Sequence, residues 1–496
     1  MKLKKLLKNL PIAAVRGSSE VEITGLCAHS KFAAPGALFL SKKGKEPSSG
    51  RYIAEAVSAG AAAVVTDLFD PFLRQVTQVI HHDPAALEPE LARRYYGGPS
   101  EELLLVGITG TSGKTTTSYL VRALLEAMLG PTGLLGTVEW IVGKSLLPSL
   151  YTTPDLFTTS RLLREMVQQE ALAAVMEVSS HALKQGRVID LDFDVAIFTN
   201  LTRDHLDYHG NFEEYAAAKA LLFEQLGRVA RSRKSVPRWA ILNADSSWSG
   251  RMVRSCCAPW LTYGLGEEAQ VRGVNLVTTM EGTLFDLLHE GRTYRFSTPL
   301  IGKFNVYNML AAIAFGLSQG WELERMAAIL AQVPPVPGRL EKVVNSLGIS
   351  LYVDYSHKGD ALENVLKALR SISPNRMIVV FGCGGGRDTT KRPEMGRIAE
   401  ELSDLVVVTN DNPRNEEPLE IVRQILAGMK SPEKAVVHLD RAQAIRFAIQ
   451  SARERDVVLI AGKGNESYQI VGQRFLPFDD RIVARTICSE LATATI

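Results

Sequence analysis

Val106-Gly-Ile-Thr-Gly-Thr-Ser-Gly-Lys-Thr-Thr-Thr117 is the stretch from which the rest of this chain can be read. The apolar run Leu103 to Ile108 leads into it and the helix-patterned segment Ser118 to Met128 follows, which predicts strand, phosphate loop and helix. Gly110 and Gly113 let backbone N–H groups close around phosphate oxygens, the helix N-terminus favours their charge, and Lys114 adds a cation. Thr111, Ser112 and Thr116 complete the cradle, and the Thr115 hydroxyl is placed to ligate magnesium. The usual Gly-x-x-x-x-Gly-Lys-Ser/Thr spacing would require glycine where Ile108 stands, so the loop is a short variant. The nucleotide expected here is ATP.

Downstream of this loop, apolar strands alternate with helical patterns as far as about residue 334, which predicts a mostly parallel sheet covered on both faces. In such sheets chemistry collects at strand carboxyl ends. One end is Ala171 to Val178, broken by Glu177 and followed by Ser179-Ser-His181; another is Val195 to Phe198, followed by Thr199-Asn-Leu-Thr-Arg-Asp-His-Leu-Asp-Tyr-His-Gly210. A carboxylate at the end of a buried strand needs a cation, so Glu177 reads either as a magnesium ligand or as a cap on the next helix. By residue type alone, His205 reads as an ordinary loop histidine. Lys219, in the alanine-rich Tyr215 to Phe223 helix, likewise reads as an exposed lysine with its stem along the helix.

Pro334-Pro-Val-Pro-Gly338 predicts a stiff joint and a domain boundary. Beyond it, strands Met377 to Phe381, Leu405 to Thr409 and Val457 to Ile460 each end in a loop of special composition. If parallel, they share one crevice. The glycine loop after Phe381 has Arg387 where a dinucleotide fingerprint requires glycine, which excludes NAD. Arg387 and Arg414 suit a carboxylate and Glu466 an ammonium, the pattern for an amino acid with an extra acidic end; an ion-pair network between loops is the alternative.

Upstream, residues 1–98 hold short apolar runs (Val21 to Leu26, Ala37 to Leu40, Ala61 to Val65) between polar turns, as in a small α/β domain. Loops His29-Ser-Lys31 and Lys45 to Tyr52 could hold a phosphate-bearing ligand or simply be solvated. The expected domains are thus 1–98, 99–334 and 335–496, in line with about three domains for 496 residues. A net charge of +2 argues against an electrostatic nucleic-acid binder, and Lys2, Lys4, Lys5 and Lys8 read as a solvated first helix. Asn9 and Pro11 interrupt any signal-peptide core, and no apolar run reaches membrane-spanning length, which predicts a cytoplasmic protein without membrane insertion. Five cysteines without a Cys-x-x-Cys pair predict neither zinc nor a disulfide framework.

Gly110-Thr-Ser-Gly-Lys-Thr-Thr116, Thr152-Thr-Pro154, Met176-Glu-Val-Ser-Ser-His181, the Thr199 to Gly210 loop, Asp411-Asn-Pro-Arg414 and Gly462-Lys-Gly-Asn-Glu466 together carry a resemblance. Over nearly its full length the chain resembles the Mur ligases, within them the branch adding the third peptide residue to UDP-N-acetylmuramoyl-L-alanyl-D-glutamate. The resemblance implies a small N-terminal α/β domain holding the uridine nucleotide, a central ATP-binding parallel sheet, and a C-terminal Rossmann-like α/β domain binding the incoming amino acid. It implies peptidoglycan synthesis by a monomer, and hence a part in cell shape and division.

It also implies roles residue by residue. Lys219 would be carbamylated by carbon dioxide and, with Thr115, Glu177 and His205, would hold Mg2+. Asn305, Arg339, Asp354 and His357 would join the phosphate loop at ATP. Ser30 and the loop from Glu46 to Gly50 would hold the uridine nucleotide, and Thr152, Thr153, Ser179, Gln185 and Arg187 the muramoyl peptide. Arg387, Asp411, Asn412, Arg414, Gly462 and Glu466 would hold the amino acid. Asp411-Asn-Pro-Arg414 is the form expected for meso-diaminopimelate, since lysine would leave Arg414 unpaired. Departures from the family pattern are Ser112, Ser30-Lys31, Lys358-Gly359 and Asn465. The alternatives are a lysine-adding homologue and a degenerate ligase kept as a nucleotide-binding scaffold.

Overall fold

The structure, a computed structural model, describes residues 1–42, 49–226, 236–373 and 375–494. Three sheets, one after another along the chain, organise these residues. The first has five strands in the order Ala14–Arg16, Thr77–Ile80, Ala63–Thr66, Ala37–Leu40, Gly25–Cys27, parallel except for the first. The apolar runs mark the last three of these. Thr77–Ile80 escapes that reading because it carries Gln78, a buried amide whose Nε2 donates to the carbonyls of Asp70 and Leu73. The basic first helix, Leu3–Leu7, buries Leu3, Leu6 and Leu7, so only its lysine face is solvated.

The central sheet has eleven strands. Its interior, from Thr132–Leu135 through Val271–Thr279, is parallel as expected; both margins finish in antiparallel hairpins, Glu139–Val142 with Ser145–Pro148 and Gly282–His289 with Arg292–Thr298. Leu104–Thr109, wholly buried, lies between Ala173–Glu177 and Val195–Phe198. That order brings the phosphate loop and both motif-bearing loops to one edge of the sheet.

The helix begins at Lys114, four residues before the apolar periodicity, because Gly113 at φ +86° turns the chain directly into it. It buries Leu120, Val121, Leu124 and Leu125, each worth about 1.5–3 kcal/mol on leaving water. Against it packs Lys303–Ser318, a helix apolar on nearly every side and correspondingly buried.

The third sheet runs Glu341–Val343, Ser350–Asp354, Val457–Ala461, Met377–Phe381, Leu405–Val408, Val436–Val437, parallel but for the first strand. Its three special loops therefore do share one crevice. Arg441, fully buried, spans two of them: its guanidinium grips Asp480 at 2.7 Å through Nε and Nη2, while Nη1 donates to the Asn410 carbonyl and Nη2 to that of Ala461. The proline-rich joint is packed rather than free. Gly338, at φ +68°, lies so near the Gly462–Glu466 loop that a Cβ would come within 2.1 Å of the Asn465 nitrogen. The five cysteines are free, and among the described residues no helix is long and apolar enough to cross a membrane.

Candidate functional site

The phosphate loop opens into a cavity of about 940 Å³ walled by both the central and the third sheet. That volume lies at the upper end of the range for small-molecule sites, roughly 300–1,000 Å³. Gly110 and Gly113 are obligatory: a Cβ on either would lie 1.8 Å from Thr199 Oγ1 or 2.4 Å from Asn308 Oδ1. Asn200 braces the loop from the next strand end, accepting from the Ser112 N–H and donating to the Ser112 carbonyl at 3.0 and 3.1 Å. Both bonds use Ser112's backbone, so serine at this position leaves the loop's shape intact. Thr111 meets Tyr215 Oη at 3.1 Å, and Thr116 is buried in the first helical turn.

Two lysines converge on one carbonyl. Lys114 Nζ and Lys219 Nζ each donate to the Gly110 oxygen at 2.9 Å. Lys219 is 1% exposed, which overturns the surface reading of its alanine-rich helix. Its ammonium also lies 4.5 Å from the Tyr215 ring centroid, one helical turn away. Burial, then the neighbouring Lys114 charge, drives the Lys219 pKa far below the ordinary lysine value. Burial also pushes Lys114 down to about 8.

Glu177 is not a helix cap. Its carboxylate accepts from Thr115 Oγ1 at 3.0 Å and from the backbone and hydroxyl of Thr137 at 2.8 and 2.9 Å, while Ser179 caps the helix that follows. Thr137, in the undistinguished run Gly136-Thr-Val-Glu139, gives no signal in the sequence. Replacing it with valine removes a hydroxyl donor to a buried carboxylate and is expected to lower stability by about 1.5 kcal/mol. Denaturant unfolding measures this; an unchanged midpoint would mean that the carboxylate is satisfied without Thr137.

His205 sits at φ +53°, in the left-handed region, with Nε2 3.0 Å from Asp204 Oδ2. Partial burial lowers its pKa, leaving a neutral imidazole. Its ring meets the edge of His181, which in turn stacks on Tyr208 at 4.1 Å. The third sheet reaches this region directly: Arg339 Nη2 donates to Thr115 Oγ1 at 3.2 Å, and its guanidinium covers the Tyr355 ring. Asp354 accepts from the backbone of Leu340 and Ser356, and His357 Nδ1 lies 2.8 Å from the Tyr355 carbonyl. Asn305 donates to the Ile301 carbonyl and accepts from Asn308, whose own carbonyl receives Thr117. Asn308, one turn beyond Asn305 on the same helix face, could have been found from spacing alone.

Beside Glu177 a second group is assembled. Thr153 Oγ1 donates to the Glu177 carbonyl and accepts from the Ser179 backbone, and Thr152 meets Thr137 at 3.1 Å. Arg187 joins Thr153 to Gln185, and Gln185 donates to Tyr208 Oη. Ser30 lies on the first sheet's side, donating to Glu55 at 2.8 Å; of the expected Glu46 to Gly50 loop, residues 46–48 fall outside the described residues. A cavity of about 380 Å³ lies between the first and central sheets, walled by Leu26, Cys27, Phe32, Trp140 and Tyr151.

In the third sheet's crevice, Asn412 bridges Lys463 and Glu466, which pair at 2.9 Å, so part of this constellation is indeed an ion-pair network. Asp411 Oδ2 lies close against Gly462, which is at φ +118°. The Arg414 guanidinium donates to the Gly385 and Asn412 carbonyls and has no carboxylate partner among the described residues. Arg387 is exposed at the crevice mouth.

With this geometry in view, the pattern of the Mur ligase middle domain matches residues 108–316, and that of the Mur ligase, glutamate ligase domain, residues 338–464. A protein of Geobacillus kaustophilus (strain HTA426) named UDP-N-acetylmuramoyl-L-alanyl-D-glutamate--2,6-diaminopimelate ligase is 44% identical over 491 residues, covering 99% of this chain and 100% of the relative. One of Chlamydia caviae with the same name is 40% identical over 492 residues and 99% of each chain. A solved structure of that name superposes with a TM-score of 0.68 at 29% identity, again over 99% of each chain. The MurF ligase of Thermotoga maritima in complex with ADP shares the fold at 18% identity, with a TM-score of 0.62 over 94% of this chain and 96% of that one.

Proposed function

This chain belongs to the Mur ligases, and from that premise we propose that it joins meso-diaminopimelate to UDP-N-acetylmuramoyl-L-alanyl-D-glutamate with ATP, in peptidoglycan synthesis. The observation that carries the reading is the single cavity in which a phosphate loop, the Glu177 end of the next strand and Arg339 of the third sheet meet. Residues 1–98 would hold the uridine nucleotide, 99–334 ATP, and 335–496 the amino acid. The ligase is read as a monomer of the cytoplasm.

The D-glutamate carboxylate attacks the γ-phosphate of ATP, giving an acyl phosphate and ADP. The amine of the amino acid then adds to the acyl carbon and phosphate leaves, forming the amide. The first step brings two anions together, and this chain answers with Lys114 beneath the phosphates and Arg339 from the opposite wall. Thr152, Thr153, Ser179, Gln185 and Arg187 orient the muramoyl peptide beside Glu177. Asn305, Asp354 and His357 line the nucleotide's remaining wall, and the third sheet keeps water from the acyl phosphate.

Magnesium fits here only if Lys219 changes charge. As an ammonium it shares one carbonyl with Lys114; as a carbamate it becomes an anion beside that cation, and an oxygen donor that would join Glu177, Thr115 and His205 in holding the metal. Burial favours the neutral amine, the form that adds to carbon dioxide with loss of a proton. Bound there, Mg2+ would offset the charge of the triphosphate.

Phosphate release with ATP, magnesium and the UDP-linked dipeptide tests the reading, with meso-diaminopimelate and L-lysine compared as the added amino acid. Turnover with meso-diaminopimelate alone is expected. Turnover with lysine alone would keep the ligase and discard the specificity; none with either, from folded protein that binds ATP, would favour the scaffold.

A further inference from the structure

The loop after Val195–Phe198 and the N-terminus of the third-domain helix Gly359–Ile372 are joined side chain to side chain. Thr202 Oγ1 donates to Asp360 Oδ2 at 2.7 Å, and Lys358 Nζ, at the residue preceding the helix, rests on Asp204 Oδ2. This is no solvated surface pair: the two side chains are 20% and 12% exposed and belong to different sheets. The Asp204 carboxylate also holds His205. Oδ1 accepts the His205 backbone N–H at 3.0 Å, and Oδ2, the oxygen that takes Lys358, lies 3.0 Å from the imidazole Nε2. With the ring proton on Nε2, Nδ1 is left as the open lone pair.

We propose that Lys358 is a positioning residue for ligation: through Asp204 it fixes the His205 ring, so that seating the third domain and orienting this histidine are a single event. The inference rests on the reading of His205 as a metal ligand. Three features support it. Lys358 and His205 share one carboxylate oxygen; His205, the residue before helix Leu206–His209, is in a left-handed conformation with its N–H bound to the same Asp204 side chain; and the neighbouring Thr202–Asp360 bond joins the same two elements without touching Asp204. A lone carboxylate behind a histidine can rotate away from it, whereas one held by a cation from across the domain boundary cannot while the domains are docked.

The test uses Mn2+ as a paramagnetic probe, titrated in the presence of ADP against the full-length protein, with the radius of gyration measured by X-ray scattering on the same samples. Lys358→Met is expected to weaken Mn2+ binding by about tenfold, the usual scale for losing a partner behind a metal-binding histidine. Lys358→Arg, which keeps the cation, should remain within about threefold of wild type on the same scale. Asp204→Asn should weaken it comparably, and the double variant no further, because both changes break one chain of contacts. Thr202→Val, which leaves Lys358 on Asp204, should leave both the radius of gyration and Mn2+ affinity at their wild-type values. Wild-type affinity in Lys358→Met, or effects of Lys358→Met and Asp204→Asn that multiply, would overturn the proposal while leaving the ligase reading in place. A wild-type protein that releases phosphate productively yet binds no Mn2+ would overturn both the proposal and the metal role of His205.

Discussion

Lys219→Ala is expected to lower the rate of amide formation by about a thousandfold, on the order of 4 kcal/mol of transition-state stabilisation, while the protein still folds and binds ATP. Alanine introduces no clash in an alanine-rich helix and removes a buried group that is hard to solvate. Loss of structure would therefore not account for the loss of rate. The cause would be electrostatic: without an anion at this position, Lys114 and a bound magnesium ion would lose one of the charges that balance them where carboxylate meets triphosphate. The cavity left by the side chain admits a small carboxylic acid, so formate or acetate should restore part of the rate. Wild-type protein stripped of carbon dioxide should lose activity and regain it with bicarbonate. Its activity should also fall as pH is lowered, because protonation removes the amine that carries the carbamate. Steady-state phosphate release measures all three. A fully active Lys219→Ala enzyme would remove the lysine from the mechanism and leave its burial without a functional account.

This residue also marks where sequence reading stops. Lys219 looks like any helix-surface lysine because helical periodicity in Tyr215-Ala-Ala-Ala-Lys-Ala-Leu-Leu-Phe223 shows no polar face to contradict it; alanine is silent about which side is buried. Only the packing of that helix beneath the phosphate loop brings Lys219 to the Gly110 carbonyl. The phosphate loop itself was legible, since glycine at positive φ, a following lysine and a buried strand each have one physical meaning. So were the loops that cluster around it, since parallel strands put their carboxyl ends on one edge. Side-chain contacts between distant segments were not legible. Thr137 beneath Glu177, Asp204 under Lys358 and Arg441 between two loops come together from positions tens to hundreds of residues apart, and each is an ordinary residue in its own segment. The resemblance supplied roles for residues whose types do not advertise them, His205 and Lys219 above all. It did not supply the bonds that hold them.

The third domain's specificity provides the other large effect. Arg414 is set before any amino acid arrives: its backbone is at φ +52°, its N–H donates to the Ile470 carbonyl, its own carbonyl accepts from Gly472, and Nη1 is tied to Gly385. A guanidinium fixed in this way needs little reorganisation to grip a carboxylate in a forked pair. Lysine, lacking the distal carboxylate, would leave that charge unpaired, which is how a site rejects a substrate differing by one polar group. Arg414→Ala should therefore lower kcat/KM for meso-diaminopimelate by about 3 kcal/mol, somewhat over a hundredfold, and leave the small rate with L-lysine unchanged or raised. Arg414→Lys, a cation without the fork, should recover only part of the loss. The decisive quantity is the ratio of kcat/KM values for the two amino acids. A ratio that survives Arg414→Ala would pass the reading of the distal carboxylate to Arg387 at the crevice mouth, and the same measurement on Arg387→Ala would then separate the two arginines.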